Sequence, residues 1–254
     1  MKDKITFVTN YLKKHKYNWK FKVLICMPLI SFLLFFDWIS KYLIEINMKQ
    51  GETRTFIKGL INFDYKINPG AAYGMNSGSP ILAISIAAVV SFFILIIFIF
   101  VREKYWLIGI TLMVAGSYGN LLARMWAPEE AVTGIKGGVI DFLHWDFSIL
   151  GSNGYIFNLA DLFVNIAVVM LVIAFVIYVV DGLMRYKYKS NTILYNEYTE
   201  YKDSLKELYL IYWAKFYKKD HEYYLKFKDY LAKRKELSNN WKALKREKVN
   251  GTKN

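Results

Sequence analysis

An all-α membrane protein is the fold class the sequence predicts: four transmembrane helices, a small extracytoplasmic β-hairpin or cradle, and a cytoplasmic C-terminal helical tail. Three observations predict it. Hydrophobic residues make up 55% of the 254 residues and aromatics 18%, and they gather into long blocks. Four of the blocks reach the roughly 20 residues that a helix rising 1.5 Å per residue needs to cross a bilayer. The basic residues behind the net charge of +13 lie beside those blocks. That placement suits anionic lipid head groups better than nucleic acid.

Taken in order, residues 1–20 form a basic N-terminal segment. The first span is about 21–46, "FKVLICMPLISFLLFFDWISKYLIEI". It is too long for a cleaved signal peptide and has no small-residue cleavage site. Cys26 is the single cysteine, so no internal disulfide or thiolate cluster can form. Leu24 and Ile25 stand where a lipid-attachment site would want small residues, and Cys26 reads as a buried small hydrophobe. In the following 51–79 segment, "TRTFIKGLINFDYKI" alternates and is rich in β-branched and aromatic residues, predicting a short hairpin. The second span is 80–101, opened by Pro80; the third is about 106–126 and the fourth 157–180.

Lysine and arginine set the orientation. With both termini in the cytoplasm, inside segments hold 27 basic residues and outside segments five. Residues 21–180 then form the membrane domain and 181–254 a basic cytoplasmic extension. In that extension Leu205, Leu208, Tyr209, Tyr212 and Phe216 recur at helical spacing. They predict an amphipathic helix lying on lipid or on itself, with a ribosome or other partner as the alternative.

Polar residues in the spans gather at one depth. Asp37 and Lys41 are four apart on one face of the first span, as are Asn120 and Arg124 on the third. Asn158 and Asp161 share a face in the first turns of the fourth, and the outer loops add Asn68 and Asp141. An aspartate at mid-bilayer costs roughly 2.5–3.5 kcal/mol. Each group alone has a structural explanation, such as the helix dipole or an i,i+4 ion pair. Their convergence near the outer interface points to a site.

In order, "DWISK" (37–41), "NPGAAYG" (68–74), "GNLLAR" (119–124), "VIDF" (139–142) and "FNLAD" (157–161) resemble the motifs of the lipoprotein signal peptidases, or signal peptidase II. The resemblance covers roughly residues 25–180. It implies a bacterial cell-membrane aspartic endopeptidase that cuts lipidated prolipoproteins before a diacylglyceryl-modified cysteine, at the outer face. Asp141 and Asp161 would be the catalytic pair, two carboxylates sharing one proton, with no metal or cofactor. Asn68, Gly70, Asn120, Arg124 and Asn158 would bind substrate, and Asp37 and Lys41 would support the site. Gly70, Ala71 and Ala72 are small enough for close backbone approach, although "NPG" is also a simple turn. The partners expected are prolipoproteins and membrane lipids. No nucleic acid is required, and a monomer is expected.

The chain departs from the family pattern twice. Ala123 stands where an aspartate normally precedes the motif arginine, removing a carboxylate partner for Arg124 or Lys41. "APEEAVTGIKGG" (127–138) lengthens the connection to Asp141 into an enlarged outer loop or lid. Other classes remain as alternatives. A proton or ion relay would use intramembrane Asp, Lys and Arg, but four spans without an inverted repeat disfavour it. A metalloprotease lacks HExxH near His144, with His15 and His221 on the other side. "GSYG" (116–119) is not a serine-protease motif. Ala123 and the long tail leave a non-catalytic membrane scaffold conceivable.

Overall fold

The computed structural model describes residues 6, 9–10, 12–70, 79–147, 155–214 and 225–250. Ala71, Ala72, Phe216 and His221 lie outside the described residues. Two compact units divide the chain, Met1–Ala174 and Phe175–Asn254.

Four helices are long and apolar enough to cross a membrane: α1 (Trp19–Asn47), α2 (Pro80–Phe100), α3 (Lys104–Ala123) and α4 (Leu159–Tyr188). Half of the α3 window is buried, against 11% for α1, 17% for α2 and 11% for α4. The third helix is therefore the central one, and the other three present apolar side chains outward. Pro28 has no N–H to give the carbonyl of Leu24, and the turn Lys22–Cys26 widens to π geometry just before it. Cys26 and Lys22 are fully buried there. The Lys22 ammonium donates to the carbonyl of Ile99 at 2.5 Å, satisfying an orphan acceptor at the end of α2. Cys26, Phe98, Leu107, Ile110 and Val114 form the core at this end, so Cys26 packs as the sequence suggested.

At the other end lies an antiparallel sheet in the order β1 (Thr53–Ile57), β2 (Ile61–Asn68), β3 (Val139–Trp145), β4 (Ile156–Phe157). The hairpin expected in 51–79 is present as β1–β2, turning at Gly59 with φ +77°. It is half of a larger sheet. Asp141, expected on a loop, instead sits within β3, whose first five residues are all buried. A strand covered on both faces loses the alternation by which a half-buried strand is recognised. Ile44 and Met48 at the end of α1 pack against Tyr65, Ile67, Ile140, Phe142 and Phe157, joining the sheet to the bundle.

The long 127–138 connection is ordered. Gln50 grips it with both ends of its amide, donating to the Glu129 carbonyl (2.8 Å) and accepting from Ala131 N–H (2.7 Å). Lys136 pairs with Glu129, and Gly134 N–H closes a turn onto the Glu130 carbonyl.

The second unit contains the end of α4 and two further helices, α5 (Thr192–Ala214) and α6 (Phe227–Asn250). Asn191 caps α5 by accepting from Leu194 N–H at 3.1 Å. Tyr188, Leu194 and Tyr198 form its buried core, with Tyr201 and Trp241 packed against them. The amphipathic helix expected in the extension is thus a pair of helices, each turning one face toward the other.

Candidate active site

The start of α4 organises the site. Asn158 precedes the first helical residue, and its side-chain oxygen accepts from Asp161 N–H at 3.0 Å. Asp161 returns the contact, its Oδ2 accepting from Asn158 N–H at 3.1 Å. This is the reciprocal arrangement of a capping box, with Asp in place of Glu or Gln. Asp161 therefore occupies the first turn of its helix, where the macrodipole favours a negative charge and its cost is far below that at mid-bilayer.

Asn158 is fully buried, and its amide nitrogen also donates to Asp141 Oδ1 at 2.6 Å and to Asn120 Oδ1 at 3.0 Å. Asn120 passes the chain on, donating to Asp161 Oδ1 at 2.7 Å. On the sheet, Asn68 pairs with Val139, and Asp141 lies two residues further along β3 on the same face. Asn68 donates to Asp141 Oδ2 at 3.1 Å, while its own oxygen accepts from Gly70 N–H at 3.0 Å. Both carboxylates are thereby fed by amide donors through one network. Burial first, and then the charge of Asp161, push the Asp141 carboxyl well above the usual carboxylate range. The Asn68 and Asn158 donors and the Lys41 charge act in the opposite direction.

Asp37 and Lys41 lie beneath, both fully buried and 2.7 Å apart. Asp37 Oδ1 also accepts from Ala160 N–H at 2.8 Å, a second orphan donor of α4. Lys41 donates to Asn120 Oδ1 at 3.1 Å. That bond and the one from Asn158 assign the oxygen of the Asn120 amide, so its nitrogen faces Asp161. Arg124 joins the segment after β2 to the one before β3, donating to the carbonyls of Gly70 (2.5 Å) and Gly137 (2.9 Å). Carbonyls thus serve Arg124, and Ala123 is buried against a small cavity that Asp37 and Lys41 also line. Arg124 Nε is buried with no partner among the described residues.

A groove of about 310 Å³ opens onto this cluster. Asn68, Asn120, Arg124, Asp141 and Asp161 form its polar end, and Ala83, Ile86, Ala87, Val90, Gly116 and Val164 its apolar walls. A Cβ on Gly116 would lie 2.6 Å from the Val164 side chain and closer still to the Ala160 carbonyl; one on Gly119 would lie 2.8 Å from Asp37 Oδ2. These two glycines let α3 approach α4 closely enough for Asn120 to reach Asp161.

All nine site residues suggested by the sequence fall within this one network. Sequence reasoning missed Gly137, whose carbonyl holds Arg124, and Tyr155 and Ile156, which line the groove beside β4. Gly137 has φ +81°, and a glycine pair ahead of a strand is a signal that could have pointed to it.

Residues 29–177 match the family model described as signal peptidase (SPase) II, more than half of the chain. The lipoprotein signal peptidases of Staphylococcus aureus strains JH9 and Newman are each 30% identical over 147 residues, 56% of this chain and 82% of theirs. Two solved structures of bacterial membrane enzymes, obtained by the in meso method, are 28% identical. One covers 66% of this chain and 90% of its own with a TM-score of 0.49; the other covers 59% and 91% with 0.48. By the extent of the family match, the chain belongs to the signal peptidase II family.

Proposed function

We propose that Asp141 and Asp161 are the catalytic pair with which this membrane endopeptidase removes signal peptides from prolipoproteins, cutting before the diacylglyceryl-modified cysteine. The observation that carries the assignment is two carboxylates from different elements meeting at the polar end of one groove, joined through Asn158 and Asn120. The two residues have unlike settings, which divides their roles. Asp161 takes backbone and amide donors at a helix N-terminus and holds the charge. Asp141, buried on a strand, holds the shared proton.

Asp161 accepts a proton from water as that water attacks the scissile carbonyl. Asp141 donates a hydrogen bond to the carbonyl oxygen and then gives its proton to the leaving amine as the C–N bond breaks, so the pair is left with the one proton taken from water. Arg124 Nε, unpaired among the described residues, is a donor for a substrate carbonyl, and Asn68 and Gly70 border the same edge. The apolar walls from α2, α3 and α4 suit the hydrophobic part of a signal peptide. Asp37 and Lys41 support the site by fixing the start of α4 and the Asn120 amide.

The balance of lysine and arginine supports both termini on the cytoplasmic side and the dyad at the outer face of the bacterial membrane. Residues 21–180 then act as the peptidase domain and 181–254 as a cytoplasmic extension, with the enzyme working as a monomer among membrane lipids. Asp141→Asn and Asp161→Asn should each reduce cleavage of a lipidated precursor by about 10²–10⁴-fold while the protein stays inserted and folded. The double variant should be little worse, because the two act as one unit. Full activity in either single variant rejects the dyad.

A further inference from the structure

Helices α5 and α6 lie beyond residue 177, where the family match ends, so their role must be read from their own chemistry. The chain turns back on itself after α4. The Tyr188 ring lies tilted 5.5 Å from that of Tyr198, Arg185 reaches Thr199 (3.2 Å), and Asp181 takes both the Tyr198 hydroxyl (2.9 Å) and the Lys202 ammonium (3.1 Å). Numbers rise along α5 as they fall along α4, so α5 returns antiparallel beside the end of the span. Residues 162–180 carry no charge, and Asp181 ends that apolar run. Lys202 is level with Asp181, yet α5 continues to Ala214, another 18 Å or so at 1.5 Å per residue. A helix returning from the end of a span over that length runs along or into the head-group layer.

The end of α5 and the start of α6 have a composition that matches such a surface. Ile211, Phe227 and Leu231 are exposed by 39%, 59% and 44%. Tyr212 packs on Phe227 and Tyr230, which joins the far end of α5 to the start of α6. Lys226, Lys228, Lys233, Arg234 and Lys235 stand exposed in the same stretch and outnumber the exposed Asp229 and Glu236. Apolar and aromatic residues fringed by lysine and arginine are the signature of a surface seated on anionic lipid.

We infer that the end of α5 and the start of α6 dock on the inner leaflet of the same membrane, with Ile211, Phe227 and Leu231 in the acyl boundary and the basic fringe on anionic phospholipid head groups. The inference rests on the reading that α4 ends at the cytoplasmic face. The test uses the full chain in nanodiscs of phosphatidylcholine with or without phosphatidylglycerol, in a Cys26→Ala background. Nitroxide labels go at Leu231→Cys, at Val176→Cys on the exposed face of α4 as a lipid reference, and at Asn239→Cys on exposed α6 as a water reference. Oxygen and a water-soluble nickel chelate then report depth. In anionic discs the Leu231 label should show an oxygen-to-nickel ratio roughly fivefold above that of Asn239 and close to that of Val176. Replacing the five basic residues with Gln should erase most of that difference. A Leu231 label as open to nickel as Asn239 in anionic discs overturns the inference, as does immobilisation of that label only when RNA is added. Reaction of the Asn239 cysteine with an impermeant maleimide on intact cells tests the orientation separately: labelling from outside overturns the cytoplasmic placement, whatever the depth result.

Discussion

Asn158 makes more of the site than any other single residue. Its backbone N–H goes to Asp161, its amide nitrogen to Asp141 and Asn120, and its oxygen to Asp161 N–H. Every polar atom of that buried amide is used, so the geometry of both carboxylates depends on one N-cap. The pH profile should show this network directly. Burial and the neighbouring charge raise the Asp141 carboxyl, and the Asn68 donor lowers it. Removing that donor with Asn68→Ala leaves the carboxyl protonated to higher pH. The basic limb of kcat/KM should therefore move upward in pH, whatever the loss in amplitude; a limb that stays or moves down contradicts the proton's placement on Asp141. Beneath the dyad, Lys41→Met leaves Asp37 buried without its counter-charge, at a cost of about 3–5 kcal/mol. A thermal melt in detergent should show that loss. The pair Asp37→Leu with Lys41→Met should recover much of it, while activity stays low because the Asn120 amide is no longer oriented.

At the scale of elements, close approach decides the site. Helix α3 reaches α4 through Gly116 and Gly119, and a side chain at either position collides with Ala160, Val164 or Asp37. Gly116→Leu should separate the helices, break the Asn120–Asp161 contact and reduce cleavage at least as far as Asn120→Ala does; activity near wild type dismisses the packing account. The spans were legible in the sequence because twenty apolar residues in a row leave few alternatives. The site was legible for a related reason: Asp37, Lys41, Asn120, Asn158 and Asp161 are polar where polarity is costly, and they share one depth. Strand β3 was not legible. Its buried Val139–Leu143 shows no alternation, and its partners β2 and β4 come from separate parts of the chain. Likewise the 127–138 insertion carries no sign in its own residues of the brace that comes from Gln50, some 80 positions earlier.

For the molecule as a whole, the chain continues beyond the family match, and a charged knot inside the second unit holds α5 to the end of α4. Asp181 takes Arg185, Lys202 and Tyr198 together. Asp181→Asn should weaken three contacts at once and lower the helical protection of residues 192–214 in hydrogen exchange, with little change at the dyad. Equal loss of protection in β3 would mean that the two units fold as one cooperative block.

Asp161 is bound into the first turn of a helix, whereas Asp141 belongs to a strand, and this has a consequence for inhibition. A symmetrical pair of acids reads a bound transition-state mimic equally well in either sense. In the proposed pair the backbone breaks that symmetry before any substrate arrives, so a mimic with a single hydroxyl in place of the scissile carbonyl should bind better in the configuration that sets the hydroxyl toward Asp161. The epimer at that carbon turns the hydroxyl toward Asp141 instead. Discrimination between two such epimers measures how far secondary structure alone has given this dyad a direction.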